Sequence, residues 1–163
     1  MKFLCSNHRK QLIQSPTRAV ECWNQWLDTG SNLIEQQNWK RASSYFGCCY
    51  EVAEWLLAQP ELLQNESELT YVDRYMVAGH HLAECFGRIG RHDVELHYLL
   101  TVHRCLINYV MSQEHKYWSL KNNLEISLLM LSRFTQLQGQ FKGYEDCYLE
   151  TEKHITQLKS RLN

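Results

Sequence analysis

Helix-breaking residues are scarce in this chain, which has two prolines, Pro16 and Pro60, and seven glycines among its 163 residues. A fold rich in β-strands needs many tight turns, and tight turns draw heavily on glycine and proline. The apolar residues also recur with the helical period of about 3.6 residues instead of alternating along strands. We therefore expect an all-α fold built from long helices.

The dipeptide Ser15-Pro16 predicts the start of the first long helix, because serine caps helices and proline fits the first helical position. A short N-terminal helix over residues 3–13 is expected before it. After Asn38, apolar residues recur every three or four positions and predict a second helix that Pro60 ends. This expected buried stripe comprises Trp39, Ala42, Phe46, Cys49, Ala53 and Leu56.

The stretch AGHHLAECFGRIGRHDVE, from Ala78 to Glu95, repeats this pattern: it predicts a helix end, a turn at Gly90 and a new helix. A third unit follows from about Tyr117, with its turn at Gly139. The chain thus divides into three helical hairpins, at about residues 16–59, 67–113 and 117–162. We expect one domain over residues 1–163, since a chain of this length buries roughly 70% of its unfolded surface.

Charge is balanced in this chain, which has 17 basic and 18 acidic residues and a formal net charge of −1. Nucleic acid is not an expected partner, because proteins that bind it carry a basic patch. The N-terminal segment MKFLCSNHRK lacks the apolar core of a signal peptide, and no run of 18 apolar residues could cross a membrane. Seven cysteines suit a compartment that keeps thiols reduced, so we expect a cytoplasmic protein.

The first hairpin has the residue spacing of a known helical repeat. Its sequence resembles the tetratricopeptide repeat, a helix-turn-helix unit with the pattern W-x2-L-G-x2-Y followed by A-x3-F. The residues that carry the resemblance are Trp26, Gly30, Leu33, Ala42 and Phe46. The resemblance implies three stacked antiparallel hairpins that form a right-handed superhelix.

The later hairpins match the repeat in part. The second has Leu82, Ala83, Phe86, Gly90 and Leu99, but Glu95 stands where the family has a small alanine. The third has Leu131, Ser132, Gly139 and Phe141, with Tyr144 in place of the small residue. The predicted turns at Gln37, Gly90 and Gly139 are 53 and 49 residues apart, whereas the family repeats every 34 or so. The chain therefore resembles a diverged array with lengthened helices.

Proteins of this family hold a peptide or helix of another protein on the concave surface that the first helices of the hairpins line. The resemblance thus implies a non-catalytic interaction module, an adaptor or a chaperone-like protein, that needs no cofactor. It assigns partner-binding positions to Asn24, Leu27, Ser31 and Glu35 in the first hairpin, His80, Glu84 and Arg88 in the second, and Leu129, Arg133 and Gln136 in the third. The alternative is an ordinary solvated face with one Glu-Arg pair.

A structural zinc site is a second hypothesis, in which the chain is a zinc-containing helical regulator. Cys5 and His8 have the C-x2-H spacing of a zinc half-site, and His81 and Cys85 lie one helical turn apart. The competing interpretation places Cys85 at the edge of the core as a small apolar residue and leaves His81 exposed. The main expectation is a protein without a metal.

Catalysis is the third hypothesis, with His80 or His81 activating the thiol of Cys85. Neighbours on one regular helix provide no oxyanion donors and no third group that orients the base. We therefore expect the protein not to be an enzyme.

Aromatic residues cluster in the first hairpin, where Trp23, Trp26, Trp39, Tyr45 and Trp55 lie. They could form core against the N-terminal helix, or part of them could form a protein interface, where aromatics are enriched. A homodimer is another way to cover such a patch.

Overall fold

The computed structural model describes residues 2–59, 70–112 and 117–160, and these residues form α-helices and no β-strand. The all-α prediction is confirmed for this part of the chain. The helices are α1 (Ser6–Ile13), α2 (Pro16–Glu35), α3 (Trp39–Leu57), α4 (Tyr71–Arg88), α5 (His92–Ser112), α6 (Tyr117–Gln138) and α7 (Tyr144–Ser160).

The start of α2 has the cap that the sequence predicts. Pro16 occupies the first turn of α2, and the Ser15 hydroxyl accepts a hydrogen bond from the Arg18 backbone N–H. Asn38 caps α3 in the same way. Thr70 and Asp73 form a reciprocal capping box at the start of α4, which the sequence analysis did not use.

The three predicted turns contain the residues with the expected backbone. Gln37, Gly90 and Gly139 have positive φ angles of 58°, 79° and 90°, the left-handed conformation that ends a helix. Each follows a long helix, so the predicted order of helices and turns is confirmed. Pro60 and residues 67–69 lie outside the described residues, so the stop assigned to Pro60 stays a prediction.

The chain groups into two compact units, one ending at Glu95 and the other beginning at Leu96. The single domain over residues 1–163 and the superhelix stay predictions. In the first unit, here called unit 1, α3 packs against both α2 and α4, and the side chains of Trp23, Phe46, Leu56 and Leu82 are fully buried. In the second, unit 2, α6 packs against α7, and Leu124 and Leu131 of α6 are fully buried.

The N-terminal segment is attached to α3 and is helical only from Ser6, later than the expected start at residue 3. Phe3 lies against Gly47, where any Cβ would collide with its ring, and its backbone N–H donates to the Glu51 carboxylate. The same carboxylate accepts from Arg9 at 2.7 Å. These contacts attach the segment that precedes α1 to α3. No helix in the described ranges is long and apolar enough to cross a bilayer.

Candidate functional site

Three of the predicted binding residues lie on α4, where two of them join a cluster with a tryptophan of α3. The guanidinium carbon of Arg88 lies 5.2 Å from the centre of the Trp39 ring, and its Nη2 lies 3.7 Å from Glu84 Oε1. The other oxygen of Glu84 lies 4.0 Å from His81 Nδ1. We call Trp39, His81, Glu84 and Arg88 the α4 cluster.

His81 connects this cluster to the core. Its ring stacks on Phe46 with the centroids 4.8 Å apart and the planes 17° from parallel. Burial lowers the pKa of His81, and the nearby Glu84 carboxylate partly opposes this effect. The expectation that His81 is exposed is therefore wrong, because a ring stacked on a core phenylalanine is half-buried.

In the α4 cluster the positively charged guanidinium of Arg88 is restrained but remains open to solvent. The Arg88 side chain is 55% exposed, yet contacts with an aromatic ring and a carboxylate restrict its position. A planar guanidinium held beside a tryptophan can bind a carboxylate with two hydrogen bonds while apolar groups pack on the ring. The third predicted α4 residue, His80, is half-buried.

Asn24, predicted to face a ligand, is exposed and also makes a contact within unit 1. Its Oδ1 accepts a hydrogen bond of 2.9 Å from Nη1 of Arg74, whose guanidinium lies 4.8 Å from the centre of the Trp23 ring. Arg74 is only 4% exposed, and burial lowers its pKa. Sequence analysis missed Arg74, although an arginine between Val72 and Tyr75, both buried, is the available signal.

The remaining α2 positions are less engaged. Leu27 is half-buried, and its carbonyl accepts a hydrogen bond from the Ser31 hydroxyl one turn later. Glu35 is exposed at the last residue of α2. These residues are partly or fully accessible on α2, but they do not form a cluster like the one on α4.

The predicted residues of unit 2 are all exposed on α6. Leu129, Arg133 and Gln136 project from the face opposite the buried Leu124 and Leu131, since successive residues turn by about 100°. Whether they continue the surface of unit 1 into one concave groove stays a prediction.

Most of the clustered aromatics are partly exposed. The interpretation of this group as core is right for Trp23, which is fully buried, while Trp26, Trp39, Tyr45 and Trp55 are half-exposed. For Trp39 this corrects its assignment to the buried stripe of α3. As the first residue of that helix, it reaches past the core to Arg88.

The structure does not bring together the four residues of the zinc hypothesis. Cys5 and His8 are exposed at the start of α1, whereas Cys85 is fully buried on α4. Burial, assisted by the charge of Glu84, raises the pKa of Cys85 to about 12. Within the ranges that the structure covers, no three His, Cys, Asp or Glu side chains are placed to hold an ion.

A second polar cluster is closed to solvent inside unit 2. His103 of α5 is fully buried, with its Nδ1 3.2 Å from the Ser127 hydroxyl and its Nε2 2.8 Å from that of Thr151. Burial, followed by the charge of Arg104, lowers the pKa of His103 to about 4, so the imidazole is neutral at pH 7. Although it combines a histidine with hydroxyls, this cluster has no access for a substrate and instead joins three helices.

No protein-family model matches the sequence, and no curated protein or solved structure is significantly similar to it. The geometry of these residues is therefore the basis for a functional proposal.

Proposed function

We propose that this chain is a non-catalytic interaction module, similar to tetratricopeptide-repeat proteins, that binds a peptide or helix of another protein in the cytoplasm as an adaptor or chaperone. The observation that carries the proposal is the α4 cluster, in which a half-exposed arginine is held over Trp39 by Glu84. Binding loses less side-chain entropy when the contacting group is already held in place.

The chemistry of the surrounding surface supports a protein ligand. Arginine and tryptophan are the residues most enriched among those that dominate binding energy at protein interfaces. Unit 1 also keeps Trp26, Tyr45 and Trp55 half-exposed. A segment that places an acidic group on Arg88 and an apolar side chain on Trp39 would match the cluster.

Two observations favour binding over catalysis. A nucleophilic thiol needs a lowered pKa and access to substrate, whereas Cys85 is buried and its pKa is raised to about 12. The hydroxyl and imidazole groups of Ser127 and His103 meet only in the interior of unit 2.

Quantitative capture tests the proposal. The full chain is immobilised, proteins bound from the native cytoplasm are identified, and the binding segment of one of them is then titrated calorimetrically. We expect Arg88→Ala to weaken binding of that segment tenfold or more, because removing one partner of a charge pair that the ligand buries costs about 2 kcal/mol or more. Arg88→Lys should recover only part of the affinity, since lysine keeps the charge but not the planar guanidinium.

Arg41→Ala is the matched control, because Arg41 is an exposed arginine on α3 outside the cluster. It should leave the affinity unchanged. The free energy of unfolding of all three variants should lie within about 0.5 kcal/mol of that of the parent. Equal affinity of the parent and Arg88→Ala for the captured segment would show that the α4 cluster is not the binding site.

A further inference from the structure

Exposed apolar side chains concentrate on two helices of unit 2. Leu129 and Leu137 of α6 are 66% and 68% exposed, and Leu149 of α7 is 66% exposed. Ile126 and Tyr148 on the same two helices are also exposed, and together they are five of the seven exposed large apolar residues of the described chain. Exposed apolar patches larger than those of an ordinary monomer surface mark interaction sites.

The apolar residues of α6 share one face with an arginine. At about 100° per residue, Ile126, Leu129, Arg133 and Leu137 fall within a quarter-turn, opposite the buried face. We call these four residues the α6 surface. Lys121 and Glu125, the other described charges on this helix, form a 3.2 Å ion pair with each other. Arg133 has no ion pair among the residues that the structure covers and lies between leucines one turn away on each side.

The apolar residues of α7 are bordered by acidic groups. Tyr148 and Leu149 share a face with Glu145 and Glu152, which lie about one turn before and after Leu149. We call these four residues the α7 surface. Both carboxylates are exposed, and neither has an ion pair within the described ranges. The exposed Lys153, one turn after Leu149, lies at the edge of the α7 surface, whose two carboxylates leave this region net negative. The α6 surface, which has three apolar residues to the two of the α7 surface, carries the opposite charge.

We infer that the chain self-associates, with the α6 surface of one copy packed against the α7 surface of a second copy. In a dimer with two-fold symmetry this α6–α7 contact occurs twice, since each copy supplies both surfaces. Leu149 contacts the leucines of the other copy, and Arg133 pairs with Glu145 or Glu152. Leu129 and Arg133 thus contact a second copy and not a bound peptide.

The charges select this pairing over the other symmetric arrangements. An α6–α6 contact would bring two Arg133 guanidiniums together at the middle of the apolar face, and an α7–α7 contact would bring carboxylates together. Like charges placed across an interface suppress association. The α6–α7 contact instead places the unpaired Arg133 beside one of the two unpaired carboxylates of the other copy.

Sedimentation equilibrium of the purified full chain tests the inference. We expect a particle of twice the 19.4 kDa chain mass at micromolar concentration. Leu129→Asp or Arg133→Glu should each raise the dissociation constant at least tenfold, while circular dichroism stays that of the parent. Arg41→Glu, the same charge reversal on α3, should leave the constant unchanged.

Charge exchange identifies the partner surface. Glu145→Arg with Glu152→Arg should also weaken association, and adding Arg133→Glu to that pair should restore it to within threefold of the parent. A monomer at all concentrations overturns the inference, as does a dimer that Arg133→Glu leaves intact or one that the combined variant fails to restore. The assay contains no other protein, so its result is independent of binding at the α4 cluster.

Discussion

The phenyl ring of Phe46 on α3 lies directly against Gly30 on α2, so that a Cβ at position 30 would lie 2.8 Å from the ring. The ring is fully buried and also stacks on His81 of α4. Three helices of unit 1 thus meet around one side chain. The glycine and the phenylalanine are both positions through which the sequence resembles the tetratricopeptide repeat.

Gly30→Ala is expected to destabilise the protein even though alanine is the better helix former. The gain in helix propensity is about 1 kcal/mol, whereas overpacking a core typically costs 1–3 kcal/mol. Because Phe46 is confined by its neighbours, we expect a net loss of about 1 kcal/mol, measured by urea denaturation.

Gly87→Ala is the matched control for this prediction. A Cβ at position 87 would meet only the carboxylate end of Glu95 at 2.6 Å, a flexible group that can move away at the small cost of its contact with His92. The control should therefore be neutral or slightly stabilising. If Gly30→Ala behaves as Gly87→Ala does, the close packing of Phe46 does not limit position 30.

Phe46 and Trp39 show which burial the periodicity of one helix can predict and which it cannot. Periodicity places both on the inner face of α3, and for Phe46 this is right because the residue lies in the middle of the helix. Trp39 lies at the helix start, where the neighbouring α4 ends in Arg88, and the period of one helix contains no information about its neighbour. Arg74 was missed for the same reason, since its contacts with Trp23 and Asn24 are 51 and 50 residues away in sequence.

Glu51→Ala should release the N-terminal segment from α3. The Glu51 carboxylate is buried and accepts from both the Phe3 backbone N–H and Arg9. Hydrogen bonds to a charged group contribute about 1.5–3 kcal/mol, so their loss should make local opening at least tenfold more frequent. We expect trypsin to cleave after Arg9 and Lys10 correspondingly faster.

Glu54→Ala provides the comparison for that experiment, because Glu54 lies one turn further along α3 and is exposed. The Glu54→Ala variant should be cleaved by trypsin at the same rate as the parent. Equal protection of Arg9 in the Glu51 and Glu54 variants would mean that apolar contacts alone hold the segment.

The cysteines should differ widely in their reaction with a thiol reagent at pH 8. Cys5 is exposed, whereas Cys49 and Cys85 are fully buried and burial raises the pKa of both thiols, that of Cys85 to about 12. The thiolate is the reactive form, so these two should react only when the protein unfolds. Cys5→Ser should remove the fastest phase. A fast phase that survives Cys5→Ser but disappears in Cys85→Ser would instead favour a reactive thiol on α4.

Stability should fall in acid because of His103. Its pKa is lowered from 6.5 to about 4 in the folded state, so the unfolded chain binds the proton more tightly than the folded chain does. The free energy of unfolding should therefore be undiminished above pH 6.5 and decline as the pH falls toward 4, by up to about 3 kcal/mol. Urea denaturation of the parent at pH 7 and at pH 4.5 measures the decline in the free energy of unfolding.

His103→Asn separates this effect from the general acid sensitivity of the protein. Asparagine retains hydrogen-bonding groups beside Ser127 and Thr151 but binds no proton in this range, so the variant should be less stable at pH 7 and lose less stability on acidification. His97→Asn, at an exposed position of the same helix, should keep the pH dependence of the parent. If His103→Asn and the parent lose equal stability between pH 7 and 4.5, the proton responsible does not bind at His103, because the only difference between the two chains is that imidazole.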